Sequence, residues 1–317
     1  MAVVCLAPNL TTLEIGHFYN NSGNTDFLLQ KANNRVTGPK DTFTLSKLTT
    51  LTVTLAAAYA VKINLHKLNG LLYAAPNLQS LSVDGATGGT SLTARLPNLT
   101  SLCLNKSYLT YRGLRLLVRS CINLTTFKLT QIARYSEAAW LPVSPAQILE
   151  CLVPCRTRLQ RLHLAPLVRP YNVDAISEKP FPLLTTLEWF PGLKQVAIDP
   201  LAIASRINGQ RLVDLLRDCP VLEGFFLLKL TEVAEEELAN IAHAAVDLMI
   251  WPRLSVIKFQ AHDSYRPWEV TQDQPNLQRL QAQLQSDQRD SNASKLERAG
   301  VKLVVVSSKE THSFADS

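Results

Sequence analysis

One short phrase recurs nine times along this chain: an apolar residue, two variable ones, an apolar, one variable, an apolar. It reads Leu10/Leu13/Ile15, Leu48/Leu51/Val53, Leu78/Leu81/Val83, Leu99/Leu102/Leu104 and Leu124/Phe127/Leu129. It continues with Leu159/Leu162/Leu164, Leu184/Leu187/Trp189, Leu222/Phe225/Leu227 and Leu254/Ile257/Phe259. The first anchors fall 38, 30, 21, 25, 35, 25, 38 and 32 residues apart. A unit of that length cannot bury its own apolar face and must stack on its neighbours, so the repetition restricts the fold to a stacked array. The alternating second and third apolar residues predict a short strand with one buried face.

Helical spacing precedes several of these strands. Leu68, Leu71, Leu72 and Ala75 stand at i, i+3, i+4 and i+7, and three further sets share the pattern: Leu114/Leu117/Val118/Cys121, Ile148/Cys151/Leu152/Cys155 and Leu212/Leu215/Leu216/Cys219. Each set lies on one face of a short helix, which must cover the strand layer. The expected fold is α/β: a solenoid over residues 1–306 with a curved parallel sheet on the concave side and helices on the convex side. Polar insertions are expected near 16–47 and 262–276, within which 20–40 and 263–274 read as loops. Towards the end, Leu277, Leu280 and Leu284 suggest an amphipathic helix, followed by a polar interruption over 286–291. A short helix closed by Gly300 and a last strand over 301–306 would cap the array, with 307–317 as a loose tail.

Two stretches carry more than spacing. In SYLTYRGLRLLVRSCINLTTFKL, Leu109, Gly113, Leu114 and Cys121 precede the strand phrase; in INGQRLVDLLRDCPVLEGFFL, Gly209, Leu212 and Cys219 do so. Both resemble the cysteine-containing leucine-rich repeat, and the strand phrase is similar to that family's over residues 5–306. The resemblance implies an intracellular, non-enzymatic receptor like the substrate-binding half of F-box proteins, of the divergent fungal type. The first phrase begins within ten residues of Met1, which leaves no room for an F-box ahead of it, so the chain reads as repeat-only or as a fragment.

Composition narrows the classes further. Apolar residues make up 46% and charged residues 18%, which excludes global disorder. No apolar run approaches the roughly 18 residues that span a bilayer, and the start lacks the basic segment of a signal peptide. The net charge of +6 is spread along the chain and does not argue for nucleic acid or membrane. Asn9, Asn20, Asn98, Asn123 and Asn292 begin Asn-x-Ser/Thr sequons. Three are the recurring Asn-Leu-Thr before a strand, so repetition explains them better than glycosylation.

The search for chemistry is negative: no GxSxG, HExxH or GxxxxGK[ST] is present, and neither catalytic residues, metal ligands nor cofactors are expected. Cys121, Cys155 and Cys219 fill one inward helix slot, and Cys151 shares the face of Cys155 without a second ligand pair, so packing is expected rather than metal. Reduced buried thiols suit a cytoplasmic or nuclear compartment. Cys103 should point out of the sheet as an exposed thiol. The segment beginning at Gly85 and including Gly88 and Gly89 reads as a loop, and Arg112, Arg115 and Arg119 read as a solvated helix face.

Alternation aims two rows of residues out of the concave sheet. The central row is Glu14, Thr52, Ser82, Cys103, Lys128, His163, Glu188, Phe226 and Lys258; the companion row is Thr12, Thr50, Ser80, Ser101, Thr126, Arg161, Thr186, Gly224 and Val256. The first half is small and hydroxylic, and the second is charged and aromatic. Lys128, Arg161, His163, Glu188, Phe190, Phe226, Leu228 and Lys258 are therefore the expected partner-binding residues, unless insertions cover them. The expected function is a monomeric protein-recognition scaffold, by resemblance a substrate receptor in ubiquitin ligation. The alternatives are a GTPase-regulatory leucine-rich-repeat protein, although the even repeats and acidic tail of that class are missing, and a stand-alone interaction protein.

Overall fold

The computed structural model describes residues 9–17, 45–55, 63–88, 94–132, 143–167, 184, 186–199, 212–230, 235–261, 278, 281–282 and 292–306. Cys5, Asn20, Gly89, Gly209, the loops at 20–40 and 263–274, the helix marked by Leu277, Leu280 and Leu284, the stretch 286–291 and the tail lie outside them. The chain forms two compact units, one of Met1–Leu159 with Pro166–Pro182 and one of Gln160–Ala165 with Leu183–Ser317.

The first unit contains β1 (Thr12–His17), β2 (Thr50–Leu55), β3 (Ile63–Asn64), β4 (Ser80–Asp84), β5 (Ala86–Gly88), β6 (Ser101–Leu109) and β7 (Thr126–Ile132). Strands β1, β2, β4, β6 and β7 lie side by side in parallel, with Thr12, Thr50, Ser80, Ser101 and Thr126 in register. The second unit contains Arg161–Ala165 of β8 (Arg161–Leu167), together with β9 (Gln195–Ile198), β10 (Gly224–Leu230), β11 (Val256–Ala261) and β12 (Lys302–Val306). They too are parallel and in order, with Arg161, Gln195, Gly224, Val256 and Lys302 in register. Parallel neighbours need a crossover between them, and helices supply several of these.

Those helices are α1 (Asn69–Ala74), α2 (Tyr111–Arg119), α3 (Pro145–Leu152), α4 (Leu212–Leu216), α5 (Glu235–Ala242) and α6 (Asn292–Arg298). Thr110 caps α2 by accepting from the Gly113 amide at 3.2 Å. Ser144 and Gln147 close a reciprocal capping box on α3, with Pro145 in the first turn. All four sets of helically spaced apolar residues are buried. Gly300, at φ +82°, ends α6 with its amide on the Glu297 carbonyl, where a left-handed residue is needed. Helix α5 and its π-helical continuation His243–Asp247 were not anticipated, although Leu238, Ile241 and Ala242 keep helical spacing and are buried.

Seven of the nine phrases form strands whose three apolar residues are all buried. The first also forms a strand, but Leu10, Leu13 and Ile15 are only half-buried, as befits β1, which has one paired neighbour among the described residues. The seventh is misplaced. Leu184/Leu187/Trp189 precedes the strand, Trp189 is 45% exposed, and β9 is built from Leu193/Val196/Ile198 instead. The segment from Gly85 is also not simply a loop. Ala86–Gly88 is β5, which pairs in parallel with β3 and with Tyr108–Leu109 of β6.

A single turn precedes the strands. The amide of the first anchor donates to the carbonyl three residues back: Leu48 to Leu45, Leu78 to Ala75, Leu99 to Leu96, Leu124 to Cys121, Leu193 to Phe190, Leu222 to Cys219 and Leu254 to Trp251. At Leu159 the acceptor is Cys155, four residues back. Every acceptor residue is buried, so the cysteine slot is a general position filled by anything from Ala75 to Trp251. Trp251 satisfies its indole N–H on the Leu216 carbonyl at 2.9 Å.

The asparagine before the first anchor and the threonine after it also have structural roles, within Asn-Leu-Thr and outside it. Asn77, Asn98 and Asn123 donate through Nδ2 to the carbonyls of Ser46, Pro76 and Pro97 in the preceding turn, at 2.7, 3.0 and 2.6 Å. The hydroxyls of Thr49, Thr100 and Thr125 donate to Thr11, Gln79 and Thr100 carbonyls. Asparagine and threonine thus each tie one turn to the one before.

Candidate functional site: the outward faces of the strands

With the core-facing residues sealed, the other face of each sheet is the surface the strands present. In the first unit it is open. Thr12, Thr50, Ser80, Ser101 and Thr126 form one row and Glu14, Thr52, Ser82, Cys103 and Lys128 the next, all half-buried or exposed. Beyond them the Asn105 amide donates to Asp84 at 3.0 Å, and the Cys103 thiol donates to Asn105 Oδ1 at 3.4 Å. Burial pushes the Cys103 thiol up, against the pull of the Lys128 ammonium. Cys103 is therefore a half-buried, protonated neighbour of Lys128 rather than an exposed reactive thiol.

In the second unit the expected outward direction holds but exposure does not. Arg161, Gln195, Val256 and Lys258 are half-buried, whereas His163, Ala165, Ala197, Asp199 and Gln260 are buried. Phe226 and Leu228, expected to meet a partner, are 4% and 2% exposed and pack with Ala165 and Ala197 as a second apolar cluster, against which Val306 lies. The register explains the packing: Ala197 stands beside Phe226 and leaves room for its ring, and the Lys258 ammonium lies 5.9 Å from the ring centroid on the other side. Burial deepens towards the C-terminal ends of these strands, whose following segments lie outside the described residues.

Two expected residues leave the face altogether. Phe190 is fully buried in the turn slot before β9, and Glu188 is exposed in the same turn. Both displacements follow from the misplaced seventh phrase. Of the eight expected binding residues, Lys128, Arg161 and Lys258 keep an outward and accessible place. Gln195, which takes the row position assigned to Thr186, went unnoticed in the sequence, although Leu193/Val196/Ile198 repeats the phrase.

The described residues hold no group of three or more His, Cys, Asp or Glu placed to bind a metal. Cys121, Cys151, Cys155 and Cys219 are free and buried. Burial lifts Cys121, Cys151 and Cys219 to about 12 and raises Cys155 as well. The Cys155 thiol donates to the Cys121 carbonyl at 3.3 Å, one slot residue closing on the next. These are protonated packing groups. No helix of the described residues is long and apolar enough to cross a membrane. No protein-family model matches the chain, and no curated protein is significantly similar to it.

Proposed function

We propose that this chain is a non-catalytic recognition scaffold of the leucine-rich-repeat type, which holds a protein partner against the outward face of its parallel strands. What supports it is the openness of that face in the first unit. Five strands in register carry two half-buried or exposed rows of hydrogen-bonding side chains, while Leu51, Val53, Leu81, Val83, Leu102, Leu104, Phe127 and Leu129 are sealed behind them. A polar surface on paired strands suits recognition, because side chains already positioned lose little ordering entropy on binding. On this face of the first unit Lys128 supplies a charged contact. By resemblance, the biological setting is substrate selection for ubiquitin ligation in the cytoplasm or nucleus.

The test is steric. Thr52→Arg with Ser82→Arg fills the open rows without touching the core, and Tyr73→Ser on α1 changes an exposed helical residue instead. Quantitative affinity capture from cell extract should lose its specific partners with the double variant and keep them with Tyr73→Ser, at unchanged melting temperature. Capture indifferent to the double variant would remove the outward face from the function.

A further inference from the structure

Net charge is divided unevenly between the two units. The first carries 17 basic and 8 acidic residues, a net of +9, and the second 15 and 18, a net of −3. The chain total of +6 conceals this division, and in the first unit three arginines line the exposed side of one helix. Arg112, Arg115 and Arg119 are exposed at i, i+3 and i+7 on α2, a row about 10 Å long at 1.5 Å per residue.

Further arginines join its C-terminal end. The Leu96 amide donates to the Ser120 carbonyl at 2.9 Å, which brings Arg95 beside Arg119, and the Cys155 thiol on the Cys121 carbonyl brings Arg156 there from the other side. Both are exposed. Between them stands Ile122, 53% exposed, its neighbour Asn123 tied to the Pro97 carbonyl. No ion pair among the described residues involves Arg95, Arg112, Arg119 or Arg156. The nearby carboxylate of Glu150 accepts from the Tyr111 hydroxyl, at the other end of α2.

We propose that this surface docks an acidic polypeptide segment that carries an apolar residue. Unneutralised guanidinium groups at one spot raise its potential and offer paired donors to carboxylates. An exposed isoleucine in the turn next to those that carry the arginines offers an apolar anchor beside a charged patch, the pairing that protein hot spots use. A nucleic-acid backbone fits less well. It calls for a longer basic track and free aromatic faces for stacking, and the one ring on this helix, Tyr111, already lies under the Arg115 guanidinium at 5.9 Å. The surface is distinct from the outward face of the strands, so the two proposals stand or fall separately.

Fluorescence anisotropy on the full chain tests it with defined probes: a labelled 16-residue Glu/Leu peptide, an all-Glu peptide of equal length, a single-stranded 20-mer oligonucleotide and vesicles containing phosphatidylserine. The Glu/Leu peptide is expected to bind at least tenfold more tightly than the all-Glu peptide, with affinity falling as salt rises. Arg112→Gln with Arg119→Gln and Arg156→Gln should weaken it tenfold or more, and Ile122→Ser about as much as removing leucine from the probe. All four positions are exposed, so melting temperature should not move. Equal binding of the two peptides, tighter binding of oligonucleotide or vesicles, or affinity unchanged by the arginine triple would each overturn the proposal.

Discussion

Phe226→Ala separates a covered apolar layer from a partner-binding surface. The ring is 4% exposed, rests with Ala165, Ala197 and Leu228, and has the Lys258 ammonium 5.9 Å from its centroid. Removing about 150 Å² of buried apolar area at about 25 cal/mol per Å² costs close to 4 kcal/mol before relaxation, in line with the roughly 3–5 kcal/mol of core Phe→Ala changes. Loss of the cation–π contact adds about 0.5–1 kcal/mol. A unit of this size loses roughly 2–4 °C of melting temperature per kcal/mol, so the roughly 4.5–5 kcal/mol total corresponds to a shift of about 9–20 °C in its transition. Differential scanning calorimetry and urea denaturation, with Lys258→Ala alongside to isolate the ring–cation contribution, measure it. A loss below about 1 kcal/mol, the scale of surface substitutions, would show that the ring is not packed and would return Phe226 to the list of binding residues.

Two further outcomes follow from local geometry. Gly113→Ala places a Cβ against the Gly88 carbonyl oxygen, a backbone atom that cannot swing aside; despite the better helix propensity of alanine it should cost about 1–3 kcal/mol in urea unfolding, whereas full stability would mean that α2 shifts freely over β5. Burial holds the Cys121 and Cys219 thiols at about 12, against about 9 in the unfolded chain. The folded state thus keeps protons that the unfolded state releases: their contribution is complete below about pH 9 and is lost as pH rises towards 12, by about 1.4 kcal/mol per thiol at pH 10. Urea midpoints at pH 8 and pH 10 should differ accordingly, and less in a Cys121→Ala/Cys219→Ala variant; a loss undiminished in that variant would place the alkaline sensitivity elsewhere.

The strands and helices were legible because burial leaves a period in the sequence. Leu51/Val53, Leu102/Leu104 and Ile257/Phe259 alternate as a one-faced strand must, and Leu114/Leu117/Val118/Cys121 follow a helix face to its last slot. Direction was legible too: Lys128, Arg161, Phe226 and Lys258 lie on the face that alternation assigns them. Exposure was not. Whether an outward residue meets water depends on segments distant in sequence, and no local period records that Phe226 and Leu228 are covered. The charge on the helical side was hidden for a related reason. The turns carrying Arg95, Arg119 and Arg156 are neighbours only once hydrogen bonds stack one on the next.

The misread segment at 184–189 separates what defines a strand here from what accompanies it. Leu184, Leu187 and Phe190 are buried and spaced by three, a turn-like period, yet Leu184/Leu187/Trp189 fits the apolar template as well as any true strand. The element before most strands, a buried residue three positions ahead of the first anchor with proline or asparagine in the turn between, is matched in sequence by Phe181 and Pro182 ahead of Leu184, so it does not by itself separate Leu184 from Leu193. Phe190, Pro191 and Leu193 supply that element, as do Ala75, Pro76, Asn77 and Leu78, and Trp251, Pro252 and Leu254. With the seventh anchor at Leu193, the intervals on either side become 34 and 29 residues instead of 25 and 38. Phrase and turn residues both recur at Leu184, and what marks Leu193 as the true anchor is the sealed pair Val196 and Ile198 behind it, where Trp189 is exposed. That turn slot holds buried side chains from Ala75 to Trp251, and Cys121, Cys155 and Cys219 fill it as they would any packing position, so the proposed functions are placed instead on the surfaces that the turns and strands hold outward.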